Sequence, residues 1–149
     1  IIATDPYKSE DYFKHLRVEK VQLDELWERA DVISLHCTQT PETFHILNKS
    51  EFGKMEKKPV IVNTSRGATI NEKYLLNALI RETIHSAGLD VFEDEPTTAA
   101  QKELINHPRT ICTGHYAWYS DKAAKELQRR AAHNLLKLLV GKKIEDSLN

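Results

Sequence analysis

At 149 residues, 40% of them hydrophobic, the chain is sized for one domain with a buried core. Its formal net charge of −1 offers no basic surface for nucleic acid or a membrane, and no apolar run approaches the roughly 20 residues a membrane helix needs. No signal peptide is read at the first residues, and the two cysteines, Cys37 and Cys112, sit in apolar runs, so a cytoplasmic protein without disulfides is expected.

In chain order, Ile1-Ile2-Ala3-Thr4-Asp5 reads as a strand already running where the sequence begins, ended by Pro6. Leu23 to Ala30 reads as a helix with Leu23, Leu26 and Trp27 on one face. Val32–His36 is a short strand, Thr38 to Thr43 a loop, and Ser50 a helix cap for Glu51 to Met55. Val60–Asn63 is a buried strand running into Thr64-Ser65-Arg66-Gly67. Asn71 caps a helix carrying Leu75, Leu76, Leu79 and Ile80 at helical spacing. Ala87–Val91 and Thr110–Thr113 complete the strands, the first followed by the acidic turn Glu93-Asp94-Glu95-Pro96 and the second by Gly114-His115. Ser120 caps a long helix to about Val140, stopped by Gly141, with Ala124, Leu127, Ala131, Leu135 and Leu138 on its core side. Apolar strands alternating with helices predict an α/β fold whose parallel sheet is covered on both faces.

Polar residues collect where the strands end. Asp5, Arg66, Glu95 and His115 each fall at or just after the carboxyl end of a predicted strand, the rim at which open parallel sheets bind ligands. An arginine leaving a core strand raises a question of its own, because a buried guanidinium needs an anionic partner. Asp5 carries two readings, a turn acid before Pro6 or an acceptor for ribose hydroxyls. None of the five glycines lies close enough to another to form a dinucleotide-binding glycine loop. No nucleophile elbow surrounds Ser65, and the histidines lack metal-ligand spacing, so no metal is expected.

Four stretches carry a family resemblance, in the family's order and at its usual spacing. They are Ala30-Asp31-Val32-Ile33-Ser34-Leu35-His36-Cys37, Val62-Asn63-Thr64-Ser65-Arg66-Gly67, Gly88 through Pro96, and Thr113-Gly114-His115-Tyr116-Ala117-Trp118. Together they resemble the D-isomer-specific 2-hydroxyacid dehydrogenases. Asp5-Pro6-Tyr7 and Ala117-Trp118-Tyr119-Ser120 look most like the branch of the C-terminal-binding proteins and phosphoglycerate dehydrogenases. The resemblance implies a Rossmann-like, doubly wound sheet, truncated at its N-terminal side. Residues 1–149 are then part of an NAD-binding domain, with the glycine-loop unit and the substrate domain lying upstream.

The implied roles attach residue by residue. Arg66 matches the arginine that holds the substrate carboxylate, and a bound 2-oxo acid answers its need for an anion. His115 matches the acid/base histidine, and Glu95, with Glu93 as its rival, matches the carboxylate that holds the imidazole. Asp5 matches the ribose-binding acid and implies NAD over NADP. Cys37, Thr64, Ser65, Arg66, Asp90 and His115 match positions around the cofactor, and Trp118 a wall of the substrate pocket. Gly114, Asn71 and Thr38 depart from the residues usual at their positions, which touches positioning and not proton transfer. The implied parent is an NAD-dependent oxidoreductase of small 2-oxo and 2-hydroxy acids, a homodimer, with the isolated chain inactive. The alternative is an NADH-sensing, corepressor-like scaffold of the same fold.

Overall fold

The computed structural model describes residues 1–144. Residues Ile1–His115 form one compact unit, and a second begins at Tyr116.

The first unit holds β1 (Ile2–Ala3), α1 (Glu10–His15), β2 (Glu19–Lys20), α2 (Leu23–Arg29), β3 (Val32–Leu35), α3 (Lys49–Phe52), β4 (Val60–Asn63), α4 (Glu72–Ile80), β5 (Ser86–Leu89), α5 (Lys102–Ile105) and β6 (Thr110–Cys112). All strand pairs are parallel. They form two sheets: β1 pairs with β2, and β3-β4-β5-β6 run in sequence order in a four-stranded sheet. The predicted first strand is therefore present but does not join the larger sheet. Its partner, Glu19-Lys20, is polar and only two residues long, too short to be read as a strand from sequence. The helices α1 and α5 are also short and were not anticipated.

The four-stranded sheet advances in one direction, each strand reaching the next through a helix-containing crossover. Crossovers of one hand put their helices on one face. Trp27 of α2, Phe52 of α3, Leu75, Ala78 and Leu79 of α4 and Leu104 of α5 accordingly share one cluster with Ile33, Leu35, Ile61, Ala87 and Leu89 of the strands. Leu75 and Leu79, one turn apart, are fully buried, and each contributes about 2 kcal/mol of apolar transfer free energy. Within this unit the crossover helices cover one face of the sheet. Burial alternates along β3, and Val32 and Ile111 on the other face are 61% and 75% exposed.

The caps follow local chemistry. Asn71 accepts from the Tyr74 N–H at the start of α4, as predicted. For α3 the cap is Asn48 and not Ser50. Its side chain accepts from the first turn while Glu51 reaches back to the Asn48 N–H, a capping box that an Asn-x-x-Glu spacing encodes.

In the second unit, Ser120 caps α6 (Asp121–Leu139) by accepting from the Ala123 N–H. Gly141, at φ 69°, closes the helix: its N–H bonds to Leu138 O and that of Lys142 to Lys137 O. The predicted core side of this helix meets no second element within this unit among the described residues. Leu127, Leu135 and Leu138 are exposed, Ala131 likewise, and Ala124 is half-buried. Among the described residues α6 is the sole helix or strand of its unit, which leaves it no element there to pack against.

Candidate active site

The register of the larger sheet sets Leu35, Asn63, Leu89 and Cys112 side by side at the carboxyl ends of β3, β4, β5 and β6. The chain therefore leaves four strands at one level. His36-Cys37, Thr64-Ser65-Arg66, Asp90 and Thr113-Gly114-His115 emerge along one edge.

The β5 and β6 exits stay paired beyond the strands. The Asp90 N–H donates to Asn63 O at 2.9 Å, the Thr113 N–H to Leu89 O and the His115 N–H to Asp90 O, both also at 2.9 Å. The Thr113 hydroxyl adds a hydrogen bond to the buried Asp90 carboxylate. His115 takes φ 62°, a left-handed conformation unusual for a residue with a side chain and enriched at functional sites.

Its imidazole Nδ1 lies 2.7 Å from Glu95 Oε2. The other Glu95 oxygen accepts from the Phe92 N–H at 3.0 Å. Partial burial works to raise the Glu95 pKa, but the hydrogen bonds from His115 and Phe92 more than offset it, leaving the carboxyl below its ordinary value. An ionised carboxylate only accepts, so Nδ1 carries the proton and Nε2 is the nitrogen left to face a substrate. A depressed carboxylate stabilises the fold above its ordinary pKa of 4.5 and loses that stabilisation as the pH falls through its folded value. Glu95→Gln is therefore expected to flatten the acid limb of the stability curve of this chain. Acid titrations followed by circular dichroism check it, and unchanged acid limbs in parent and variant would contradict it.

Asn63, missed in the sequence, organises the arginine loop. It is 1% exposed at the end of β4. Its amide nitrogen donates to Arg66 O at 2.9 Å, and its amide oxygen accepts from both the backbone N–H and the hydroxyl of Ser65. The signal was an amide ending an apolar strand, where a buried polar side chain must find partners. Arg66 corrects the premise drawn from sequence. Its side chain is exposed, Nη1 donates to Ser65 O at 2.7 Å, and no carboxylate pairs with it among the described residues. It leaves the core strand for solvent and so escapes the cost of burial.

Gly67 shows how close the arginine loop lies to the acidic turn. A Cβ added there would fall well inside contact distance of the Phe92 carbonyl and the Glu93 nitrogen. Only a residue without a side chain permits this approach. Glu93, the rival acid, pairs with His45 instead, at 3.0 Å.

The other predicted residues are less committed. Asp5, half-buried after β1, accepts from the Tyr7 N–H through Oδ1 at 2.8 Å, the turn role read as one of its two possibilities. Its Oδ2 remains an acceptor of the kind ribose hydroxyls use, so the residue fits a nucleotide. Cys37 is half-buried, and burial raises its thiol pKa, which suits packing more than reactivity. Thr64 is exposed and Ser65 half-buried. Trp118 belongs to the second unit, where it is 51% exposed and meets Tyr119 edge-on.

The sequence profile of the D-isomer specific 2-hydroxyacid dehydrogenase NAD binding domain matches residues 1–117. The chain belongs to this family. It is 35% identical to a D-lactate dehydrogenase of Escherichia coli (strain K12), over 99% of the chain and 48% of that protein. It is 34% identical to a 2-hydroxyacid dehydrogenase homolog of Haemophilus influenzae, over 98% of the chain and 47% of that protein. Among solved structures, the D-lactate dehydrogenase from Aquifex aeolicus complexed with NAD and lactic acid is similar, with a TM-score of 0.86 and 29% identity. The match covers 94% of this chain and 46% of that one. The chain thus spans about half the length of the curated relatives it matches. These relatives do not support the expected C-terminal-binding-protein and phosphoglycerate dehydrogenase branch; D-lactate dehydrogenases recur among them. The fold is the Rossmann-like NAD-binding domain of the family.

Proposed function

We propose that the protein carrying this chain interconverts a small 2-oxo acid and its D-2-hydroxy acid, with pyruvate and D-lactate the first pair to assay. The observation that carries this reading is the Glu95–His115 pair, seated beside the Arg66 loop at the level carboxyl ends of β4, β5 and β6. Arg66 offers a planar fork of donors to the substrate carboxylate. His115 gives its Nε2 proton to the carbonyl oxygen during reduction and takes it back during oxidation. Glu95 holds the Nδ1 proton, fixes the ring and stabilises the charged imidazole.

NADH, when bound, supplies the hydride to the carbonyl carbon. Asp5 would accept from the ribose hydroxyls and disfavour a 2′-phosphate through its charge. Asp90 would lie beside the nicotinamide amide, with Cys37, Thr64 and Ser65 contacting the cofactor through backbone groups. In this reading residues 1–149 are part of the NAD-binding domain, and the glycine-loop unit and substrate domain belong to the rest of the protein. The protein would be a cytoplasmic homodimer.

Two results test this reading. The isolated chain is expected to bind NAD weakly or not at all, because no glycine loop cradles a pyrophosphate at a helix start. Calorimetry giving a micromolar Kd for the chain alone would contradict it. In the full-length protein, Arg66→Lys keeps the charge but loses the bidentate fork. It is expected to raise the KM for the 2-oxo acid and lower kcat together, while NADH affinity holds. Steady-state kinetics unchanged from the parent would remove Arg66 as the anchor.

A further inference from the structure

Three separate segments meet at Glu93. Its Oε1 lies 3.0 Å from His45 Nε2 and accepts from the Glu72 N–H, at the start of α4, at 3.1 Å. The Glu93 N–H in turn donates to Glu72 Oε1 at 2.7 Å, so the two glutamates bind each other's backbone reciprocally. His45 belongs to a segment laced to the chain just after Arg66: the His45 N–H donates to Ala68 O, that of Leu47 to Thr69 O, and that of Asn71 to Leu47 O. Gly67 packs against the Phe92–Glu93 peptide itself. Two residues further on, Glu95 takes the imidazole of His115.

We propose that Glu93 is a positioning residue, a latch that fixes the acidic turn against the Arg66 loop so that Glu95 holds His115 in place. The inference rests on the reading of Glu95 and His115 as the proton-transfer pair. The latch needs only an acceptor of the right reach, because what it collects are donors: the Glu72 N–H and a His45 ring nitrogen. The carboxylate charge of Glu93 is not itself required. This separates Glu93 from Glu95, whose charge has a chemical task. The spacing also explains why two acids alternate here, one turned to His45 and the other to His115.

The test compares Glu93→Ala, which removes the acceptor, with Glu93→Gln, which keeps an oxygen at the same reach. In this chain, NMR follows the His115 Nδ1 proton held on Glu95, alongside thermal melts. The parent and Glu93→Gln are expected to show that proton, and Glu93→Ala to lose it while still melting cooperatively. Should Glu93→Ala fail to fold, Glu93→Asp carries the same expectation, because it is one methylene too short to reach both donors. Persistence of the proton signal in the folded variant would overturn the proposal.

In the full-length protein, Glu93→Ala is expected to lower kcat for 2-oxo acid reduction by about 10- to 100-fold through misplacement. The NADH Kd should stay in place, the pH profile should move in the same direction as in Glu95→Gln because the imidazole loses its carboxylate partner, and Glu93→Gln should recover most of the rate and the parent profile. A pH profile moved by Glu93→Gln and not by Glu95→Gln would make Glu93 the partner of the histidine and overturn the latch. If the full-length parent reduces no 2-oxo acid, the catalytic reading fails instead, and the NMR comparison decides the latch by itself.

Discussion

Replacing His115 with glutamine in the full-length protein is expected to lower turnover of a 2-oxo acid by roughly 100- to 10,000-fold, the range contributed by a positioned general acid. Glutamine keeps a hydrogen-bonding group near the carbonyl oxygen but has no proton to deliver at neutral pH. Because Nδ1 is engaged by Glu95, the loss falls on Nε2. NADH affinity should change little. The backbone adds a control. His115 sits at φ 62°, which asparagine tolerates better than glutamine does. His115→Asn should therefore fold at least as well as His115→Gln and be equally impaired in turnover. Stopped-flow NADH oxidation separates chemistry from binding. Turnover within tenfold of the parent in both variants would mean that another group supplies the proton.

Gly67→Ala is expected to have the second large effect, on stability and site geometry together. The new Cβ has no free space, since the Phe92 carbonyl and the Glu93 nitrogen occupy its position. Both obstacles are backbone, so no rotamer change relieves the clash. The Arg66 loop and the acidic turn must move apart, and the Glu93 latch between them must open. Overpacking of this kind costs about 1 to 3 kcal/mol, and more where the neighbour is rigid. Urea unfolding of this chain should show a lower midpoint with an unchanged slope. In the full-length protein the KM for the 2-oxo acid should rise with it. A midpoint equal to the parent's would show that the two loops separate without cost.

Much of the larger sheet was legible because its strands are short apolar runs bounded by helices with clear periodicity. Val60–Asn63 reads the same in sequence and structure. Which face the crossover helices cover was not legible. Val32 and Ile111 look like core residues, and only the order of the strands shows that the crossover helices cover the opposite side. In α6 the apolar repeat was real, but a periodic face says nothing about whether a partner lies against it. The pairing of Glu19-Lys20 with β1 left no apolar trace to read.

The site divided in the same way. The placement of Arg66 and His115 on one rim followed from counting residues past each strand, since parallel strands in register deliver their exits at one level; Asp5, expected on the same rim, instead follows β1 of the two-stranded sheet. Spacing already favoured Glu95 over Glu93 as the partner of His115, and the structure sets Glu95 on the imidazole while Glu93 turns to His45, a partner the sequence did not show. Asn63 was invisible as an organiser because its four side-chain hydrogen bonds are to nearby loop groups that sequence shows as ordinary turn residues. The solvent exposure of Arg66 also needed the structure, since a sequence cannot tell a side chain that ends a strand from one that leaves it.

The central claim is that the Arg66, Glu95 and His115 rim holds and protonates a 2-oxo acid. A crystal structure of the full-length protein with NADH and oxamate, an unreactive 2-oxo acid analogue, tests it most directly. The account predicts the oxamate carboxylate forked by the Arg66 guanidinium and the carbonyl oxygen about 3 Å from His115 Nε2, with Nδ1 still on Glu95. Oxamate bound elsewhere, or bound with its carbonyl oxygen out of reach of His115, would contradict it.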